Sequence, residues 1–165
     1  MIAPHQEIAL RCYDENECKS WIAGRGLILP TKELLQLSVR TKDFRTYPLC
    51  HFIARTLSYN DDVLLWVTEW GIWRSSENWH LFEKLRLSYG ESRRLDEAPG
   101  HLFREYEMSD LATLLQVAID NGWGGYVMAA MSPVNIFFSH DEFIDFYAED
   151  PSLLDDVREW IKPIS

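Results

Sequence analysis

Five histidines, three cysteines and a surplus of carboxylates are the groups in this 165-residue chain that could do chemistry. His80 and Glu83 are three apart on a predicted helix and could share a face, and His101 and Glu105 fall in a predicted loop or strand. A zinc centre needs three or four ligands converging on a tetrahedron, and no HExxH or paired-cysteine spacing supplies them. No metal centre is expected, and His5, His51, His80, His101 and His140 read as surface or partly buried side chains. Ser139-His140-Asp141-Glu142 invites a metal or hydrolase reading. A serine with an acid three residues on is also a capping box, which predicts a helix opening at Ser139. Neighbours on a helix point about 100° apart, so His140 and Asp141 are not expected to form a dyad. Cys50-His51 diverges in the same way, and no GxSxG elbow occurs.

Gly122, Gly124 and Gly125 resemble a phosphate-binding loop in composition only. A phosphate cradle follows a strand and precedes a helix N-terminus, where free amides meet the anion. These glycines follow a predicted helix and precede a predicted strand, which reads as a helix C-cap and a tight lead into a buried strand. No cofactor is expected. Arg93 and Arg94 sit between Gly90 and Gly100 in a stretch with neither helical nor strand period. With hinges at the two glycines they could clamp a carboxylate or phosphate bidentately; the alternative is pairing with the protein's own acids, in its C-terminal third. Trp66, Trp70, Trp73 and Trp79 crowd into fourteen residues. On a strand Trp66 and Trp70 would share a face, as a core block or, if exposed, as binding anchors.

Charge is the unusual number. The net charge is −10. Residues 1–104 hold fourteen acidic and fourteen basic side chains, and residues 105–165 hold twelve acidic and two basic ones. Asp141, Asp145 and Glu149, then Asp155 and Glu159, recur every four residues, which on predicted helices makes acidic stripes. Like charges at that spacing cost a helix about 0.2–0.5 kcal/mol each, so stability does not ask for them. The balance disfavours direct nucleic-acid binding and suits a basic protein partner.

The elements that must position these groups alternate irregularly. Glu7 to Tyr13 has strand period, and Asp14 with Glu17 opens a helix ending near Gly24. Leu27-Ile28-Leu29 suggests a short strand before Pro30. Residues 31–48 carry no clear pattern, and Leu49 to Tyr59 fits a helix or a strand. Asn60-Asp61-Asp62 reads as a turn before a nearly uncharged central strand, Val63 to Trp70. Ser75 or Ser76 caps a helix through Leu87 with Leu81, Phe82, Leu85 and Tyr89 on its apolar face. Ser109 caps a helix ended by Asn121-Gly122, two strands follow around Ser132-Pro133, and Asp150-Pro151 starts a last helix stopped by Pro163. The expected fold class is α+β, one compact domain over residues 1–165 with a mixed or antiparallel sheet packed by several amphipathic helices.

An odd cysteine count without CxxC spacing argues against a disulfide framework and for a reducing, cytoplasmic setting. The N-terminus lacks the basic and apolar regions of a signal peptide, and the uncharged stretch between Asp120 and Asp141 is too broken by glycine, proline and asparagine to span a membrane. No family resemblance emerges; the acidity is shared by small proteins that neutralise basic toxins, and the likeness ends at composition. The expectation is a non-enzymatic module binding a basic partner through Asp141, Asp145, Glu149, Asp155 and Glu159, with Trp70 and Trp73. The alternative is a small enzyme acting on an anionic small molecule beneath the Gly90–Gly100 loop.

Overall fold

Val63, Leu64, Leu65, Trp66 and Val67 follow one another with no polar face between them. Such a strand is stable only with apolar layers on both sides. All five are buried. The computed structural model describes residues 10–31, 33–57, 62–70 and 76–164, and nothing is said of the side chains of residues 76–78. The expected strand start at Glu7, most of the Asn60-Asp61-Asp62 turn and the Ser75 cap lie outside the described residues. The strands are β1 (Arg11–Tyr13), β2 (Leu35–Arg40), β3 (Asp62–Glu69), β4 (Gly100–Arg104), β5 (Gly124–Ala129), β6 (Val134–Phe138) and β7 (Phe143–Ala148). The helices are α1 (Glu15–Gly24), α2 (Thr46–Leu57), α3 (Ser76–Ser88), α4 (Met108–Asp120) and α5 (Pro151–Ile161). The strands form one antiparallel sheet in the order β1-β4-β3-β5-β6-β7-β2, an α+β domain as expected.

The two faces of the sheet are covered unequally. Val63, Leu65 and Val67 join the main core with buried residues of α2, α3, α4 and α5. Leu64, Trp66, Leu102 and Met128 face the other way, against Cys18, Trp21 and Ile22 of α1. Helix α1 has the expected capping box, Asp14 accepting from the Glu17 amide and Glu17 from the Asp14 amide, each at 2.8 Å. It runs through Gly24, and its left-handed cap is Gly26, at φ +65°, with Leu27 N–H donating to Ile22 C=O. Leu27-Ile28-Leu29 is not a strand; it lies in the strap between α1 and β2 and pairs with no strand among the described residues. The ambiguous stretch from Leu49 is helix α2, with Leu49, Cys50, Ile53, Ala54 and Leu57 buried at helical spacing.

Five further expectations are corrected. Ser139 does not open a helix: Ser139 N–H donates to Phe143 C=O and Glu142 N–H to Ser139 C=O, closing a β6–β7 hairpin. Its residues suit a turn as well as a cap, and Glu142 takes the left-handed position at φ +65° that glycine usually fills. Asp141, Asp145 and Glu149 therefore form no helical stripe. Ser109 lies inside α4, which a 3₁₀ turn at Glu105–Glu107 leads into. Leu81 is 65% exposed, because the buried face of α3 uses Phe82 and Arg86. Trp66 and Trp70 do not share a face: a β-bulge between Val67 and Glu69 shifts the phase, and Trp70 packs against the main core.

The centre of the sheet depends on a missing side chain. A Cβ on Gly125 would lie 2.2 Å from the Trp66 carbonyl oxygen, whereas one on Gly24 meets nothing within 4 Å. Gly125→Ala is expected to cost about 1–3 kcal/mol or more by overpacking. Gly24→Ala should gain up to about 1 kcal/mol of helix propensity. Urea denaturation of both variants checks this; equal midpoints would contradict the packing at Gly125.

Candidate functional site

The sheet ends at the β5–β6 turn, Ser132-Pro133, and a cleft opens on each side of it. The first, about 550 Å³, lies under the strap and is walled by Leu27, Leu29, Leu34, Pro133 and Leu153, with Thr31, Glu33, Ser132, Asn135, Tyr147, Glu149 and Asp150 as its polar groups. The second, about 700 Å³, lies between α2 and α5 and is lined by Phe52, Arg55, Met131, Val157, Asp156, Glu159 and Trp160 among others. Met131 is 76% exposed and Trp160 53%. Large apolar side chains beside a cleft, ringed by charge, are the usual composition of a binding anchor. Asp150 caps α5 by accepting from the Ser152 N–H at 2.9 Å, which fixes the β7–α5 junction between the clefts; the hydrogen bond from the Ser152 hydroxyl, and then this backbone one, hold its carboxyl below the usual range.

The acids expected to bind are dispersed by this architecture. Asp145 lies on the less covered sheet face opposite Ser38, whose hydroxyl it accepts. Asp141 is at the hairpin tip, with His140 between it and Glu69. A hydrogen bond to Glu69, set slightly against burial, raises the His140 pKa above its ordinary value. Adjacent residues on a turn can therefore meet, unlike those on a helix. Asp155 and Glu159 are exposed on α5 and pair with Arg158 and Lys162. Glu149 lines the first cleft and Glu159 the second. Trp70 stacks on Trp79 with ring centres 6.0 Å apart, and Trp79 meets Trp123 edge-on at 6.3 Å, so this part of the tryptophan cluster is core. Trp73 lies outside the described residues. Nothing in the sequence singles out Glu33, Met131, Asp156 or Trp160; Glu33 stands in a segment with no period, and Met131, at the end of a predicted strand, lies just past β5.

The Gly90–Gly100 stretch is a packed loop. Gly90 takes φ +89°, but Gly100 is fixed in β4, where a Cβ would lie 2.2 Å from Cys18 Sγ. Leu95 and Ala98 are fully buried. Arg93 donates to Glu91 and to Cys12 C=O, and Arg94 pairs with Asp96 at 3.0 Å, so both guanidinium groups engage local acids rather than the C-terminal third. Burial would raise the Glu91 carboxyl, but hydrogen bonds from Arg93 and the charges of Arg93 and Arg86 hold it below its usual range. Arg86 is 0% exposed and donates to Ala98 C=O at 2.8 Å; its Nε and Nη1 have no hydrogen-bond partner among the described residues. His101, also wholly buried, packs edge-on to Phe82, with its Nδ1 3.3 Å from Leu65 C=O. Burial, with the Arg86 charge, pushes its pKa down to about 3.

Burial also pushes each thiol, Cys12, Cys18 and Cys50, up to about 12. Thiolate is the reactive form, so none is poised as a nucleophile. Among the described residues no group of three or more His, Cys, Asp or Glu side chains could hold a metal ion, and no helix is long and apolar enough to cross a membrane. Comparison with family models, with curated proteins and with solved structures finds no match.

Two measurements follow from the buried groups. Below pH 6.5 the unfolded chain protonates His101 while the folded chain does not, so stability should fall by about 1.4 kcal/mol per pH unit as pH drops toward 5. The raised His140 works in the opposite sense, but that side chain is solvated and its contribution is screened. Chemical denaturation between pH 7.5 and 5 should give a slope that His101→Leu flattens; an unchanged slope in that variant would refute the assignment. Native protein should also resist a thiol-labelling reagent until denatured, when all three cysteines react. Rapid labelling of the folded protein would contradict their burial.

Proposed function

We propose that the chain is a non-enzymatic module that holds a basic protein at its acidic end, in a reducing compartment such as the cytoplasm. The observation that supports this is the pairing of exposed Met131 and Trp160 with clefts rimmed by Glu33, Glu149, Asp150, Asp156 and Glu159. Apolar anchors hold a partner once docked, and surrounding charge speeds its approach. The acidic surplus in residues 105–165 selects a partner of the opposite sign. The role expected of the acids remains, with its centre moved from helical stripes to the β7–α5 junction and α5.

The test separates the two contributions. Binding to the basic protein recovered with the chain from its native cell should be measured by surface plasmon resonance at low and high salt. Glu149→Lys with Asp156→Lys should slow association about tenfold or more at low salt and leave dissociation nearly unchanged. Trp160→Ala should speed dissociation by about 30-fold, the effect of losing a 2 kcal/mol anchor. A partner bound with unchanged rates by both variants would remove the acidic end from the interface.

A further inference from the structure

The two edges of the sheet are finished differently. At the β1 edge the chain bonds its own outward backbone groups. Leu10 N–H donates to Tyr89 C=O at 3.0 Å, Cys12 C=O accepts from Arg93 at 2.9 Å, and Asp14 N–H donates to Glu17 at 2.8 Å. At the β2 edge, Thr41 N–H donates to Glu142 C=O at 2.8 Å, in the register that pairs Leu35 with Ala148 and Val39 with Ile144. Hydrogen-bonded pairs alternate along an antiparallel ladder, so Leu35, Leu37 and Val39 are the residues bonded to β7. The N–H and C=O groups of Gln36, Ser38 and Arg40 therefore point away from the sheet, and none has a hydrogen-bond partner among the described residues. All three residues are exposed. Sheet edges are commonly blunted by proline, lysine or a bulge. Strand β2, Leu35-Gln36-Leu37-Ser38-Val39-Arg40, contains neither residue, and its pairing with β7 is unbroken.

We propose that β2 is the contact through which two copies of this chain pair, edge to edge and antiparallel, about a two-fold axis at Ser38. With that centre Gln36 meets Arg40 of the second copy, Ser38 meets its own counterpart, and every outward residue exchanges two backbone hydrogen bonds. Any other register sets at least one of the three against a residue outside β2. On the core side of the sheet Leu37 lies beside Val39 of the second copy, and Leu35, 43% exposed, gains cover from Thr41. Like charges do not face each other, because β2 brings Arg40 and no acid. This match of the strand to itself selects a second copy over an unrelated extended segment. A single strand pair is a small interface, so the association is weak and reversible. Two chains of net charge −10 repel at a distance, so salt strengthens the pairing. Binding of a basic partner has the opposite salt dependence, and the pairing does not rest on that reading.

The test is sedimentation of the full chain alone over a wide range of concentration. The expected result is a reversible rise from 19.4 kDa toward twice that mass, with a midpoint at roughly 100 µM that falls as salt is added. Gln36→Glu places a carboxylate opposite Arg40 of the second copy at both ends of the pair. It should tighten the dimer about threefold, although it adds negative charge to an acidic chain. Gln36→Lys should weaken it by about the same factor. Ser38→Pro removes an outward N–H without touching a bond to β7, and should leave the chain monomeric throughout. Thermal melting followed by circular dichroism verifies that each variant is folded. The Gln36 variants change an exposed side chain, so they decide the matter even if Ser38→Pro does not fold. A chain that stays monomeric at every concentration and salt would overturn the proposal. So would a dimer that Gln36→Glu weakens, or one indifferent to all three substitutions.

Discussion

One guanidinium organises the end of the molecule away from the clefts. Arg86 has no contact with solvent, and a buried charge is tolerated only where other groups answer it. The answer comes from the loop that follows its own helix. Ala98 accepts from Arg86, the Glu91 amide bonds the Arg86 carbonyl, and the Glu91 carboxylate lies close enough to feel its charge. Glu83, one turn back on α3, accepts from the Leu95 amide and ties down the middle of the loop. The segment from Gly90 to Gly100 is thus folded around a cation, and β4 begins where it ends. His101, the second residue of β4, stays neutral because it is buried and faces a charge of its own sign.

From β4 the sheet extends through β3 and β5 to the opposite end, and the change in cover along it explains where the clefts open. On one face the helices α2, α3, α4 and α5 bury a continuous core. On the other, buried residues of α1 reach Leu64, Trp66, Leu102 and Met128. Beyond them Tyr126, Phe137 and Tyr147 are only partly covered. The strap crosses this face, and the space between strap and sheet becomes a cleft because the strap brings Leu27 and Leu29 but no helix. The acids gathered at its rim cost little in stability there, since Glu33, Glu149 and Asp150 are solvated.

Much of the fold was legible in sequence where one signal spoke alone. Leu111, Leu114, Leu115 and Ala118 mark α4, Asp150-Pro151 marks the start of α5, and the unbroken apolar run marks β3. Reading failed where two structures want the same residues. Ser139, Asp141 and Glu142 suit a hairpin as well as a helix start, and the alternation from Phe143 to Ala148 decides for the hairpin. The bulge after Val67 leaves no mark in composition, so Trp70 was put on the wrong face. Arg86 breaks the rule that core positions are apolar, which displaced the apolar face of α3 by one residue. The clefts were the least legible, because residues 26–31, 33–34, 131–135 and 147–160 meet only in three dimensions. The acidic surplus marks a third of the chain but not which of its acids come together in space.

Among the described residues strand β2 has one neighbour, β7, and their register joins Leu35 to Ala148 across more than a hundred residues of sequence. A pairing that distant is slow to form, because the chain between must be closed before any contact repays the lost entropy. During synthesis β2 would leave the ribosome long before its mate exists. Until then its backbone donors and acceptors have only water, and its Leu37 and Val39 lack the core they later join. An unpaired strand waiting in this way is a site for mispairing between nascent chains. Gln36, Ser38 and Arg40, alternating with the apolar residues, keep one side of it polar through that interval. The β2 segment is therefore where translation speed and chaperone supply should bear most heavily on the yield of folded protein.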